Sequence, residues 1–531
     1  MKDHTHWLFL LIVAGWTTTV VFAQKQTVFL ESFEFHGQNY SLSACFSPPG
    51  VGLILKGRTT KNLSAGLEGE NIHLGTRIGK DNFYVFWLNY RDATIRLAFY
   101  DCRRNRSRLL PLAGFSFIGL PEIVEENNDL QGLVFLGNRS KNDDIFYYEP
   151  ENDLLTQLTS TLFSEKGFNM LEKDGQLEIE TRSLWAKFMY RFDRRNRQCQ
   201  KIEEERLSQP QKRQSSSAAG FTPEYYNTYV GFGDSITKGQ IEGVIRPDAC
   251  FLTKMGELLT ATYGPSRSIN LGVGGTQTFE GAERVNRDLD TNPAFYFLLM
   301  YGVNDVWRTS FSLESSLESL EFMIDAAQAR HMRVITSTLT PRKDTLSLYQ
   351  YYWNNLRALS AGIIALAQKK GAAYIDTLNA FMNFNPPDGW KTLLESVNPP
   401  KTKGNHPNEK GHLLIASLFA PALVAFPPLP PSGISILNPQ DHLKKNVQWD
   451  SNYESDFSHF AIEFAFDPDP LSQHLTTTNH TFTFTLFPFL PQLYFRLQTV
   501  DRDDHGSAFS TIYPAQSLDF SQAKEQPHPQ K

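Results

Sequence analysis

From residue 225 to residue 426 the chain alternates between short apolar runs and longer stretches in which apolar positions recur at helical spacing. Residues 229–232 are apolar and lead into a glycine-rich turn, and 267–271 form a second short run. Residues 294–301 (AFYFLLMY) are apolar without a break, the pattern of a parallel strand buried on both faces. Helices are predicted over 317–330, 351–370 and 411–425, with strands over 333–338 and 373–376 between them. Such alternation predicts a central α/β domain, a parallel sheet with helices on both faces in three layers.

The flanks have a different texture. Before residue 200, three segments share one plan: an apolar-aromatic strand, an acidic residue (Asp101, Glu149, Asp193), a polar turn with Asn105, Asn152 or Asn196, and a returning strand. Hairpins repeating every 40 to 50 residues or so mark β-repeat architectures, so 24–200 is expected to be an all-β domain, either propeller-like or a sandwich of hairpins. The middle copy, with LVFLGNRSKNDD before it, resembles a blade of the TolB-like propellers. Residues 201–224 lose hydrophobic periodicity and read as a linker, and the proline-rich 427–432 is a second one. Short strands return over 433–519. There the spacing of Trp449, Leu490 and Tyr494 resembles a fibronectin type III domain, which implies a C-terminal β-sandwich. The tail 520–531 reads as disordered.

Composition narrows the setting. The formal net charge is −6 with no basic block, so nothing points to nucleic acid. Lys2, the apolar stretch over 7–15 and the small residues of Val21-Phe22-Ala23 make 1–23 an expected export signal, with a secreted or periplasmic mature chain. Thr17, Thr18 and Thr19 interrupt that stretch, which is short for a bilayer span, and no later run is apolar enough for one. An exported chain permits disulfides among Cys45, Cys102, Cys199 and Cys250, with the pairing open.

Candidate chemistry lies in four blocks of the central domain. Gly231-Phe232-Gly233-Asp234-Ser235-Ile236-Thr237 ends the first strand, and Asn270-Leu271-Gly272-Val273-Gly274-Gly275-Thr276 follows the second. Gly302-Val303-Asn304-Asp305 follows the AFYFLLMY run, and His406-Pro407-Asn408 precedes the last helix. Each block taken singly reads as a turn or a helix cap. All four in this order, at the edge where α/β sheets place their sites, resemble the SGNH (GDSL-like) serine esterases.

That resemblance implies a flavodoxin-like fold and a carboxylic ester hydrolase acting through an acyl-enzyme without metal or cofactor. It implies Ser235 as nucleophile, His406 as its base, and an oxyanion hole of the Ser235 N–H, the Gly275 N–H (Gly274 a close second) and the Asn304 amide. Asp234 and Asp305 would shape their loops rather than react. His412, six residues after His406, does not share a helix face with it and gives no metal pair.

One position departs from the family. An aspartate normally stands three residues before the histidine and orients the imidazole, and here Lys403 stands there. Three readings follow. A backbone carbonyl orients His406 and leaves a Ser–His dyad, the reading favoured. Or a carboxylate of the preceding loop, such as Asp388 or Glu395, takes the role. Or the site is degenerate, and the chain is a secreted binding or adhesion protein. The partner expected on the first two is an ester, of a polysaccharide or a lipid.

Overall fold

A computed structural model of the chain describes residues 26–47, 50–126, 129–139, 142–160, 164–173, 176–184, 186–206, 223–385, 387–398, 402–437, 444–454, 456–465, 471, 473–485, 494–511 and 513–514. The expected leader 1–23, most of the expected linker, Leu490 and the tail lie outside the described residues. Two compact units emerge, one up to residue 135 with 147–155, the other 136–146 with everything from 156 onward.

The region before the α/β domain is built of mainly antiparallel strands in sheets of eight, five and four, with Gly50–Lys56 and Glu70–Ile78 meeting in parallel at Val51 and Glu70. The three marker acids close equivalent strands: Asp101 ends Thr94–Asp101, Glu149 ends Asp143–Glu149 and Asp193 ends Ala186–Asp193. Four residues after each acid stands a left-handed residue (Asn105, φ 48; Asp153, φ 54; Arg197, φ 59), so the three turns share a backbone plan as well as a sequence plan. The last strand, Gln198–Arg206, carries the chain six residues into the stretch read as linker. It is a sheet edge with Glu203, Glu204 and Glu205 exposed, and charge on an edge strand erases the alternation by which strands are recognised.

The α/β domain has five parallel strands: β1 (Thr228–Gly233), β2 (Arg267–Gly272), β3 (Tyr296–Met300), β4 (Arg333–Ser337) and β5 (Ala373–Ile375). They are ordered β2-β1-β3-β4-β5. Five longer helices connect and close the sheet: α1 (Phe251–Tyr263), α2 (Thr278–Thr291), α3 (Leu313–Gln328), α4 (Gln350–Lys370) and α5 (Glu409–Val424). Helix α1 packs with α5, and α3 packs between α2 and α4, which gives two helical layers around the sheet. Every residue of β1 and β3 is buried, as the unbroken apolar run requires. Strand order reverses at β1, whose carboxyl end lies between those of β2 and β3, and such a switch point opens a crevice.

Beyond Pro431 the chain forms two antiparallel sheets. One holds Ser435–Ile436, Lys444–Gln448 and Thr481–Thr485; the other holds Gln473–Thr477, Phe457–Ala465, Tyr494–Asp501 and Tyr513–Pro514. Trp449, Phe460, Ile462, Phe484, Phe495 and Leu497 form its core. All four cysteines are free thiols, Cys45 and Cys250 being buried. No helix among the described residues is long and apolar enough to cross a membrane.

Candidate active site

Ser235 is placed by a turn that leaves β1 with almost no free space. A Cβ on Gly233 would stand 2.1 Å from Thr237 Oγ1 and 2.3 Å from the Met300 carbonyl, so only glycine fits beneath the turn. The Asp234 carboxylate accepts the Ile236 N–H at 2.9 Å and starts the short helix Ser235–Lys238, which Gly239 ends at φ 86. Asp234 is buried, and burial with the nearby Asp305 charge pushes its carboxyl up to about 7. It shapes the turn.

His406 comes from a two-stranded ribbon that precedes α5. Residues Val397–Asn398 pair antiparallel with Thr402–Lys403, the Leu394–Pro407 bridge continues the pairing, and the Glu395 N–H donates to the His406 carbonyl at 2.9 Å. Asn408 caps α5 through Lys410 and Gly411 N–H and donates its own amide to the Thr392 and Leu394 carbonyls. Lys343, arriving from the loop after β4, donates its ammonium to the Lys391 and Leu394 carbonyls at 2.8 and 2.9 Å. These bonds fix the ribbon against the sheet edge.

Ser235, His406 and Glu395 meet there. His406 Nε2 lies 2.8 Å from Ser235 Oγ, and His406 Nδ1 lies 3.2 Å from Glu395 Oε1. All three are nearly enclosed, with exposures of 5%, 7% and 1%. Burial would raise the Glu395 carboxyl, but the hydrogen bond and charge of His406, with the Lys403 and Asn405 N–H groups, outweigh it and hold the acid below its ordinary range.

The favoured expectation of a backbone carbonyl behind His406 is therefore corrected, since a carboxylate stands there. Of the two acids named as substitutes, Glu395 fills the place and Asp388 does not, being an exposed residue paired with Lys391 at 2.9 Å. Lys403 does not oppose the imidazole either: its side chain is exposed, and its backbone N–H donates to Glu395 Oε1 at 3.4 Å.

The remaining blocks surround the serine. Gly274 is adjacent to it, since a Cβ there would lie 3.7 Å from Ser235 Cβ, whereas Gly275 turns through φ 79 with open space beside it. Asn304 stands in the short helix Val303–Val306 and donates one amide hydrogen to the Thr276 carbonyl at 2.9 Å, which ties its loop to the glycine loop. Asp305 is buried and accepts the Thr278 hydroxyl at 2.6 Å, the Thr278 N–H and the Ser316 hydroxyl. It thus caps α2 from outside and anchors α3. His412 is enclosed in α5, accepts the Phe251 N–H at 3.3 Å through Nδ1, and has its pKa lowered to about 4 by burial.

Sequence reasoning missed Arg284. From α2 one nitrogen of its guanidinium donates to the Gly233 carbonyl at 3.2 Å, the Leu271 carbonyl at 2.8 Å and the Tyr301 hydroxyl at 3.0 Å. Those three residues stand at the ends of β1, β2 and β3, so one buried cation ties together the strand ends carrying Ser235, the glycine loop and Asn304. Its ring partner is Phe232, 3.9 Å from the guanidinium carbon. An arginine in an acidic-looking helix (TFEGAERVNRDLDT) carries no sequence signal of burial.

A serine, an imidazole and a carboxylate thus stand in hydrogen-bonded series at the switch point of a parallel sheet, with the ring placed where it can take the hydroxyl's proton. The sequence model of the GDSL-like Lipase/Acylhydrolase family matches residues 232–414, the stretch that holds all four blocks. Among solved structures, the lipase/acylhydrolase from Enterococcus faecalis matches at 21% identity and TM-score 0.32, covering 37% of this chain and 94% of that one. An acetylxylan esterase from Geobacillus stearothermophilus matches at 18% and 0.32, covering 38% and 97%. A carbohydrate acetylesterase family member from Sinorhizobium meliloti matches at 15% and 0.30, covering 37% and 97%. No curated protein matches.

Proposed function

We propose that the chain hydrolyses acyl esters through an acyl-enzyme on Ser235, with His406 as base and Glu395 as the acid that orients it. The observation that carries this is the series Ser235 Oγ, His406 Nε2 and Nδ1, Glu395 Oε1, at 2.8 and 3.2 Å. A serine hydroxyl is a weak nucleophile until a base within hydrogen-bond reach takes its proton. His406 accepts that proton as Ser235 Oγ bonds the ester carbonyl carbon, and returns it to the departing alkoxide. Water then repeats the sequence on the acyl-enzyme and frees the acid. Glu395, held ionised, fixes the ring with Nδ1–H toward itself and Nε2 toward the serine, and stabilises the imidazolium.

Negative charge on the carbonyl oxygen is met by the Ser235 N–H, the glycine loop and the second amide hydrogen of Asn304. In this reading Gly275 remains the glycine donor by its place in the block, and the left-handed turn at Gly275 supports a loop that presents backbone to the substrate. The chain is proposed to act outside the cytoplasm, since 1–23 reads as an export signal. Residues 433–519 are proposed to form a fibronectin type III-like module, supported by the three- and four-stranded sheets around Trp449, and the repeated hairpins before 200 to form propeller-like blades. Polysaccharide or lipid esters, acetyl esters among them, are the proposed substrates.

The test is turnover of 4-nitrophenyl acetate together with labelling by a fluorophosphonate probe. Ser235→Ala is expected to lose labelling and to drop kcat by at least about a thousandfold. Unlabelled wild-type protein with no serine-dependent turnover overturns the reading.

A further inference from the structure

Two cations, Lys238 and Arg308, flank the glycine loop. Lys238 stands three residues after Ser235 on the same short helix, an exposed side chain whose Cδ would lie 4.0 Å from a Cβ on Gly274. That same Cβ position is 3.7 Å from Ser235, so the lysine stem and the serine border one glycine from two sides. Arg308 stands four residues after Asn304, is exposed, and donates one N–H to the Gly275 carbonyl at 3.3 Å. Lys238 thus borders the glycine next to Ser235, and Arg308 is held to the other glycine of the loop through its carbonyl. Among the described residues neither charge meets a carboxylate within ion-pairing distance.

The acids of this neighbourhood are occupied elsewhere. Asp234 and Asp305 are buried beneath the turn and satisfied by Ile236, Thr278 and Ser316. Glu280 accepts the Gln277 N–H, and Glu242 accepts the Ser396 hydroxyl. Between the cations the loop is open: Val273, Gly274 and Gly275 are exposed, and no atom lies within 4 Å of where a Gly275 Cβ would stand. On a chain whose net charge is −6, an unpaired Lys–Arg pair over an open backbone is a local reversal of sign. Such a reversal attracts anionic ligands and speeds their arrival. Arg308 keeps further N–H groups free for a planar two-oxygen contact, and Lys238 supplies a mobile point charge.

We propose that Lys238 and Arg308 select esters bearing an anionic group, carboxylate or phosphate, next to the scissile bond. This rests on the hydrolase reading above. The experiment compares 4-acetoxybenzoate, 4-acetoxyphenyl phosphate and neutral 4-acetoxybenzamide, each kcat/KM divided by the hydroxide-catalysed rate of the same ester. At low ionic strength one or both anionic esters are expected to exceed the neutral one by about tenfold, and the arm that gains identifies carboxylate or phosphate. Around 1 M salt the preference is expected to shrink toward unity, because the screening length falls to about 3 Å. In Lys238→Gln with Arg308→Gln the ratio is expected to fall to about one.

A normalised ratio of one or below for both anions in the wild type, or a preference the double variant keeps, overturns the proposal. Binding of 4-hydroxybenzoate, hydroxyphenyl phosphate and 4-hydroxybenzamide to Ser235→Ala protein by calorimetry separates the two claims. Anion-selective binding without turnover sinks the hydrolase reading alone, and turnover of the amide ester without anion selectivity sinks only this one.

Discussion

Two buried glutamates, Glu395 beside the serine and Glu165 in the β-region, share nearly complete enclosure and differ in almost everything else. Glu395 faces an imidazole and two backbone N–H groups, and its carboxyl is held low. Glu165, 0% exposed, accepts the Thr159 hydroxyl at 2.9 Å as its side chain's one hydrogen bond among the described residues, has Asp143 and Asp144 as neighbours, and is pushed by burial up to about 8. The same side chain is thus kept as an anion in one place and as a neutral acid in the other. Burial supplies the sensitivity, and the partner supplies the sign. An enclosed carboxyl becomes useful for orienting a base only where a proton-carrying ring shares its cavity.

Glu395→Gln is the substitution that would break this contrast most sharply. It keeps shape but offers an amide to Nδ1, and kcat is expected to fall about a thousandfold with KM little changed, by analogy with loss of a triad acid. A fall under about threefold would make Glu395 a bystander. Arg284→Met comes next: it removes the buried donor shared by the Gly233 and Leu271 carbonyls and the Tyr301 hydroxyl, and leaves Asp288 with Arg287 as its remaining partner. A kcat loss of about thirtyfold with a stability loss of about 3 kcal/mol is expected, read from steady-state kinetics and urea melts.

Glu165→Gln sharpens the other half. A raised acid contributes stability that is complete below its unfolded pKa and drains away as pH climbs through its folded value. Wild-type Tm is therefore expected to fall between about pH 5 and 8, while the variant stays flatter and melts roughly 3–5 °C higher above pH 8, with kcat unaltered. Glu395 works in the opposite direction, its contribution complete above the ordinary carboxyl pKa and lost as pH falls through the lowered one. The smallest effect belongs to Lys403→Ala, expected to change kcat less than about twofold, because the contact runs through the backbone N–H.

The sequence carried much of the α/β layout because β1 and β3 are uniformly apolar and the nucleophile block abuts one of them. Block order offered Ser235, Gly275 (with Gly274 second), Asn304 and His406, and Glu395 only as one of two candidate acids. Its relation to His406 is made across a ribbon, and cross-strand partners follow register rather than spacing. Pro399-Pro400 between the two residues was the available hint of a reversal. Helices α1 and α2 escaped the periodicity reading. The buried stripe of α2 is made of Thr278, Gly281, Ala282, Arg284, Val285 and Leu289, small or charged for the most part. Lys343 was illegible for a related reason, since its bonds end on carbonyl oxygens, which every residue has, as two of Arg284's bonds also do.

The ribbon has a consequence for how the molecule assembles. Acid and base are 11 residues apart, whereas the serine and histidine are 171 apart. Closing the shorter span costs roughly 2 kcal/mol less in chain entropy than closing the longer one. Glu395 and His406 can therefore find each other early, within a segment that needs little of the rest, and the imidazole meets its serine already aimed. The order of encounter is written into the connectivity, so a deletion in the ribbon's turn would uncouple acid from base while leaving the path by which Ser235 reaches the sheet edge untouched.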